Sequence, residues 1–208
     1  MDLVLIRHPA VAVPAGVCYG RSEVPLAVDP RDAAATLAAR LEALGVSAAG
    51  LPRRIETSPR QRCARVAAAL AERIALSEGE GEAAREDARL AEMDFGAWEM
   101  RPWDAIGRAP LYAWAADFYH AREHGGESVA QFGARVQTWF DGLQRDPQPP
   151  MRWVVTHAGV IRAVTAQALG VPLERCARWP VDFAGIVWLR REPERAQGDA
   201  WTLVRWNA

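Results

Sequence analysis

MDLVLIRHPAV, residues 1–11, begins with a short apolar run that stops at an arginine and a histidine. The same pattern returns in RWVVTHAGVIR, residues 152–162, where two valines lead into Thr156 and His157. A short, continuous apolar run is typical of a strand buried in a parallel sheet. Ligands bind at the carboxyl ends of such strands in open α/β sheets. The two runs therefore predict that His8 and His157 share one edge of a sheet.

Strand and helix patterns alternate along the rest of the chain, with short connections. Strands are predicted at 3–6, 54–56, 153–155, 186–189 and 201–204, and helices at 30–44, 59–74, 128–143 and 160–169. This alternation predicts a three-layer α/β/α sandwich with a mostly parallel central sheet. Residues 77–87 are charged and contain glycine, which predicts a solvated loop.

The region 92–127 is unusually rich in aromatic residues placed between charged ones. It predicts a helical insertion over the C-terminal edge of the sheet, with the aromatic rings forming its core or a platform for substrate. The 208 residues suit one domain, 1–208, that carries this insertion.

Composition excludes several classes of function. The net charge of −1 gives no bulk attraction to nucleic acid or to a membrane surface. All 25 basic residues are arginine, so Schiff-base and P-loop lysine chemistry are absent, while each cation can bind phosphate or carboxylate with two hydrogen bonds.

Cysteine usage and the apolar runs predict a cytoplasmic protein. Cys18, Cys63 and Cys176 are odd in number and form no CxxC pair, which predicts reduced thiols without disulfides or a zinc site. The N-terminal apolar run is too short for a signal peptide, and no stretch approaches the roughly 20 apolar residues that cross a bilayer.

A third predicted strand end adds to the two histidines. Thr57-Ser58 precedes a helix start, whose free amides bind anions, and Arg60 and Arg62 follow in the first turn. Helical periodicity places both arginines beside the apolar face and puts Arg65 in solvent. Taken singly, each residue is an ordinary loop or surface residue. Together, two imidazoles, guanidinium groups and helix amides favour a phosphate site.

Six motifs occur along the chain in the order LIRHP, CYGRSEVPL, ETSPRQRCARVA, LAEMDFGAWE, GGES and VVTHAGVIRA. In this order they resemble the histidine phosphatase superfamily, in its phosphoglycerate-mutase-like branch. The resemblance runs from Met1 to about Ala168. Two of the motifs, CYGRSEVPL and GGESV, are most similar to members that act on α-ribazole 5′-phosphate.

The resemblance implies a catalytic role for each matched residue. His8 would be the nucleophile, forming a phosphohistidine that water hydrolyses. Arg7, Arg62 and His157, with the backbone at Ala158, would hold the phosphoryl oxygens. The family pattern TSxxxRA selects Arg62 rather than Arg60. Such a site needs no metal and no cofactor.

The leaving oxygen requires an acid, and the family motif LxExxxG selects Glu92 over its neighbours Asp94 and Glu99. An ordinary surface glutamate is the alternative. Arg21 would contact the substrate at the pocket mouth, or else pair with an acid as a loop residue.

Four residues near the insertion have simpler roles. Glu127 and Ser128, in GGES, would brace the site or cap the next helix. His120 and His124 are expected at the surface.

This chain departs from the family pattern RHGxTxxN. Pro9, Val11 and Pro14 stand where glycine, threonine and asparagine are usual, so an amide donor and two polar side chains are absent there. Two alternatives to a phosphatase remain open: a mutase of the same family, and a non-catalytic phosphate-binding relative.

The expected partner is a small phosphate ester: α-ribazole phosphate, a sugar phosphate or a phosphorylated amino acid. Neither nucleic acid nor a membrane is expected as a partner. A homo-oligomer is possible.

Overall fold

The computed structural model describes residues 1–46, 52, 54–78, 84–145, 150–192 and 201–208. Within them, eight strands are assigned: Asp2–Arg7 (β1), Val17–Cys18 (β2), Ile55–Thr57 (β3), Arg85–Glu86 (β4), Arg101–Pro102 (β5), Met151–Thr156 (β6), Ile186–Arg191 (β7) and Trp201–Arg205 (β8). Six of these strands form the central sheet in the order β4-β3-β6-β1-β7-β8, and β2 pairs with β5.

The first four strands of that order run parallel, and β7 and β8 are antiparallel to their neighbours. This confirms the predicted mostly parallel sheet. In the register of β1 and β6, Arg7 lies opposite Thr156. The residues that follow, His8 and His157, therefore leave the sheet side by side.

Six α-helices are assigned in the same residues: Pro30–Ala43 (α1), Gln61–Glu78 (α2), Arg108–Ala116 (α3), Val129–Arg145 (α4), Ala158–Leu169 (α5) and Leu173–Cys176 (α6). Side chains alternate between the two faces of a strand. Accordingly, Val4 and Ile6 pack with α1 and α2, whereas Leu3 and Leu5 pack with α4 and α5. Helices thus cover both faces, which confirms the three-layer sandwich.

Helix ends follow local chemistry. Asp29 caps α1 by accepting from the Arg31 amide at 2.8 Å, and Pro30 fits the first turn. Ser128 and Gln131 form a reciprocal capping box at the start of α4, with bonds of 3.1 and 2.9 Å. Gly170 ends α5 in the left-handed conformation, with φ of 62°.

Two local predictions differ from the structure. The second helix begins at Gln61 rather than at Pro59: the amides of Cys63 and Ala64 donate to the Arg60 carbonyl, which makes Arg60 the residue that precedes the helix. The loop expected over 77–87 is wrong at both ends: α2 reaches Glu78, and Arg85–Glu86 adds an edge strand. This strand pairs through its backbone and has exposed charged side chains, so no apolar pattern marks it. Residues 79–83 lie outside the described residues.

The 92–127 region covers the C-terminal edge of the sheet with α3, β5 and short 3₁₀ turns at 96–98 and 103–105. Trp98 and Ile106 are buried against Cys18. All three cysteines are free and buried. Among the described residues, no helix combines the length and apolarity needed to cross a bilayer.

Candidate active site

The two histidines converge at the carboxyl ends of β1 and β6. Their ring centroids lie 5.3 Å apart at an interplanar angle of 65°, and both side chains are buried. The His8 amide donates to the Thr156 carbonyl at 2.9 Å, which ties the two loops together where they leave the sheet. A single tetrahedral anion can therefore reach both rings.

A carbonyl group sets the tautomer of His8. Its Nδ1 lies 2.8 Å from the Pro9 carbonyl oxygen, which can only accept, so Nδ1 carries the proton and Nε2 keeps its lone pair. Burial, supported by the charges of Arg62 and Arg7, lowers the pKa of His8 to about 3, although the bond to Pro9 opposes the shift. The imidazole is thus neutral at physiological pH. Because the acceptor is a backbone carbonyl, proline in place of glycine keeps this contact.

Arg7 reaches the site from the end of β1. Its Nη1 donates to the Val181 carbonyl at 2.6 Å, and Nη2 lies 3.4 Å from the Tyr19 hydroxyl. The guanidinium stacks on Phe183, 4.0 Å from the ring centroid. Backbone and aromatic contacts therefore fix its orientation without neutralising its charge.

Arg62 is completely buried and is held in the same manner. Its Nη1 and Nη2 donate to the carbonyls of Ser22 and Gly20, each at 2.6 Å. Within the described part of the chain, neither Arg7 nor Arg62 forms an ion pair, and the Nε of each is buried without a partner. Two cations without an ion pair, Arg62 fully buried and Arg7 half-buried, favour an anionic ligand.

The structure separates the arginines that helical periodicity leaves equivalent. Arg60 pairs with Glu23 at 3.0 Å on the outer side of the helix, whereas Arg62 faces the histidines. Arg65 is exposed, as predicted.

His157 is fully buried, and its Nε2 lies 2.8 Å from the Ser58 hydroxyl and 3.6 Å from Cys63 Sγ. Burial, together with His8 and Arg62, lowers the pKa of His157 well below its usual value. Ser58 thus positions the second imidazole.

Glu92 faces the N-terminus of α5. Its Oε2 accepts from the Gly159 amide and its Oε1 from the Met93 amide, each at 3.1 Å. A Cβ at Gly159 would lie 2.2 Å from Glu92 Oε1, so only glycine permits this approach. Ala158 begins α5 half-buried, but the residue that lines the cavity is its neighbour Gly159.

A cavity of about 600 Å³ opens beside His8, and the fully buried Arg62 and His157 are not among the described residues that line it. Arg7, His8 and Glu92 line its polar end. Its remaining walls are mostly apolar and include Phe95, Trp103, Trp114, Phe118, Phe132 and Phe183. The four rings of this set that belong to the 92–127 region therefore form part of its core and one wall of the cavity. Among the described residues, no group of three or more His, Cys, Asp or Glu side chains is placed to hold a metal ion.

The sequence model for the histidine phosphatase superfamily (branch 1) matches residues 3–208. The chain belongs to this superfamily. Membership confirms the predicted family, fold and phosphatase class. The matched residues also extend well past Ala168, where the motifs end.

Three known proteins show the range of the likeness. The adenosylcobalamin/α-ribazole phosphatase of Escherichia coli (strain K12) is 34% identical over 96 residues, which span 45% of this chain and about half, 47%, of that protein. The glucosyl-3-phosphoglycerate phosphatase of Mycolicibacterium vanbaalenii is 28% identical, with 99% of this chain and 94% of that protein covered. The crystal structure of the α-ribazole phosphatase from Shigella flexneri shares the fold, with a TM-score of 0.80, 24% identity, and coverage of 100% and 96%.

Not every predicted site residue of this histidine phosphatase lies in the cavity. Arg21 is exposed, pairs with Asp94 at 3.5 Å and does not contribute to the cavity lining among the described residues. This contact matches the alternative given in the sequence analysis, in which Arg21 is a loop residue that pairs with an acid. Its amide donates to Glu99, which also accepts from the amides of Ser22 and Phe95 and so braces the loop that anchors Arg62.

Residues of the GGES region brace the site. Glu127 accepts from the Asp94 amide at 3.0 Å and pairs with Arg135 at 2.8 Å. His120 is exposed as predicted, but the prediction for His124 is wrong. His124 is buried edge-on to Trp98, with ring centroids 4.9 Å apart, because the aromatic cluster closes over it, and burial lowers its pKa.

Sequence reasoning missed the contribution of the C-terminal segment. Val181 and Phe183 contact Arg7, and their loop is held by Trp206 and Asn207. Asn207 makes bonds of 2.6 and 2.9 Å to Asp182. No motif marks these residues, and only the cluster of tryptophans near the chain end hints at packing there.

Two departures from the family pattern, Val11 and Pro14, line the cavity. Apolar surface therefore replaces the polar contacts expected at these positions.

Proposed function

We propose that this chain is a metal-independent phosphomonoesterase that works through a phosphohistidine on His8. The observation that carries the proposal is the free Nε2 of a neutral His8, next to Arg7, Arg62 and His157. Nε2 attacks phosphorus, forming the P–N bond as the bond to the alcohol oxygen breaks. Water then attacks phosphorus, the P–N bond breaks, and inorganic phosphate leaves.

The arginines supply the electrostatic part of catalysis. In phosphoryl transfer, positioning and charge stabilisation account for most of the rate. Arg7 and Arg62 are pre-oriented by carbonyl oxygens, so they need no reorganisation when charge develops on the phosphoryl oxygens. His157 is held by Ser58 against the same group.

Glu92 would act as the acid and then as the base. It lines the same cavity as His8, at the N-terminus of α5. In the first step it donates a proton to the leaving alcohol, and in the second it accepts one from the attacking water. General acid catalysis typically contributes about 10²- to 10⁴-fold.

The substrate would be a small phosphorylated metabolite whose alcohol part enters the cavity. α-Ribazole 5′-phosphate is a candidate, because the aromatic walls can stack on its heterocycle. The similarity of about half of the chain to the E. coli adenosylcobalamin/α-ribazole phosphatase supports it. A phosphoglycerate-type ester is the second candidate, supported by the relative that matches nearly the whole chain.

The deciding experiment measures phosphate release from p-nitrophenyl phosphate by the wild type and by His8→Ala, in the presence and absence of a chelator. We expect turnover to need His8 and to be insensitive to the chelator. Acid-labile phosphate on His8 in rapidly quenched samples would support the intermediate. Undiminished hydrolysis by His8→Ala would refute the proposal. Dominant isomerisation of phosphoglycerate over phosphate release would instead indicate the mutase.

A further inference from the structure

A second guanidinium, that of Arg162, lines the cavity together with that of Arg7. Arg162 lies on α5, three residues after Gly159, and therefore about one helical turn, or roughly 5 Å, beyond the Glu92 contact. Its Nε donates to the Trp179 carbonyl at 2.9 Å, which fixes the plane of the group. The resemblance to the family motifs gives this residue no role.

The charge of Arg162 has no direct counter-ion in the described part of the chain. Its terminal nitrogens make no hydrogen bond or ion pair there, although the side chain is half-buried. Burial is the main cause that lowers its pKa, Glu92 opposes the shift, and Arg7 adds to it. A partly desolvated cation without a direct counter-ion is costly unless a ligand compensates it.

The phosphoryl group does not need this cation. Arg7, Arg62 and His157 already converge next to His8, and the cavity is far larger than a phosphate group. Arg162 lines the same cavity about one helical turn from the Glu92 contact, where it can reach the alcohol part of a substrate. With Nε held by the backbone, its two terminal nitrogens form a fork that matches the two oxygens of one carboxylate.

We propose that Arg162 binds a carboxylate on the alcohol part of the substrate, so that the preferred substrates are phosphate monoesters of hydroxy acids. This inference rests on the proposed phosphatase function and refines its substrate class. It also separates the two candidates, since α-ribazole 5′-phosphate carries no carboxylate and a phosphoglycerate-type ester does. The aromatic walls would then contact the uncharged remainder of the substrate.

A matched pair of substrates tests the inference directly. 3-Phosphoglycerate and glycerol 3-phosphate share the primary phosphate ester and differ in a carboxylate against a hydroxymethyl group. We expect wild-type kcat/KM to favour 3-phosphoglycerate by about tenfold or more, with phosphate release as the readout. In Arg162→Met this preference should fall by about 10- to 100-fold, mainly through KM.

Arg178→Met is the matched control, because Arg178 is an exposed arginine on the neighbouring loop. It should keep the wild-type preference, and thermal unfolding of both variants should match the wild type within a few degrees. Where Arg162→Met is unstable, Arg162→Lys replaces it, and the preference should again fall because one ammonium cannot form the fork.

Three outcomes would overturn the inference: no wild-type preference for the carboxylate, equal losses by Arg162→Met on both substrates, or an equal change of preference in Arg178→Met. Each of these leaves the phosphatase proposal standing, as long as both esters are hydrolysed and His8→Ala hydrolyses neither.

Discussion

One added methyl group at Gly159 should disable Glu92, the proposed acid, while leaving the chemical identity of its carboxyl group unchanged. The Cβ of Gly159→Ala would lie 2.2 Å from Glu92 Oε1, whereas ordinary contacts begin near 3.4 Å. The carboxylate must therefore move by about 1.2 Å, the difference between these distances, or the backbone of α5 must shift. Displacements of about 1 Å can reduce catalysis by roughly 10²-fold.

The loss should depend on the leaving group. With an alkyl phosphate, whose alkoxide needs a proton, we expect kcat to fall by about 10²-fold. With p-nitrophenyl phosphate, whose leaving group needs little protonation, the loss should be several-fold. Glu92→Gln should show the same dependence. Gly142→Ala is the control, because its added Cβ meets no atom within 4 Å. It should keep full activity and gain about 0.5–1 kcal/mol of stability. Equal losses of Gly159→Ala on both substrates would refute the assignment of Glu92 as the acid.

Three further predictions concern Arg62, His8 and the loop that holds Arg7. Arg62→Lys should lower kcat/KM by about 10²- to 10³-fold, because one ammonium cannot reach both carbonyls that Arg62 binds. For the same reason, urea titration should show a loss of about 1.5–3 kcal/mol in the free energy of unfolding. The control Arg65→Lys, at an exposed position, should change neither quantity. The folded-state pKa of His8, about 3, lies below its usual 6.5, so the unfolded chain takes up a proton first as pH falls. The free energy of unfolding should therefore decline as pH falls from about 6.5 to 3, by up to about 5 kcal/mol from this residue. In urea titrations across this pH range, His8→Gln should show a shallower decline. An equally steep decline in the variant would contradict a buried, neutral His8. Asn207→Ala removes bonds of 2.6 and 2.9 Å to the loop that holds Arg7 and should lower kcat/KM by about tenfold; activity equal to the wild type would show that this loop is held by other contacts.

The sequence predicted those parts of the site that follow from strand ends. His8 and His157 each follow an apolar run, and a parallel sheet brings such ends to one edge, so residues distant in the chain could be paired without coordinates. Arg62 could be chosen over Arg60 only through the family pattern, because helical periodicity does not distinguish them.

The remaining site residues depend on tertiary contacts that leave no periodic signal. Val181 and Phe183 act through a carbonyl and a ring brought to Arg7 by an irregular loop. His124 is buried by aromatic residues around it, which a polar local sequence does not indicate. The edge strand Arg85–Glu86 is defined by backbone pairing alone. In each case, the position of the residue is determined by a segment that packs or pairs with it, and not by its own local sequence.

The pairing of β1 with β6 has a consequence for synthesis of the protein on the ribosome. A nascent chain that ends before Met151 already carries His8, the proposed nucleophile, but it lacks both the strand that flanks it and the second imidazole. Hydrolytic activity can therefore appear only after the last quarter of the chain has emerged and docked. Turnover would thus indicate that the chain has folded completely, and incomplete translation products would have no catalytic activity.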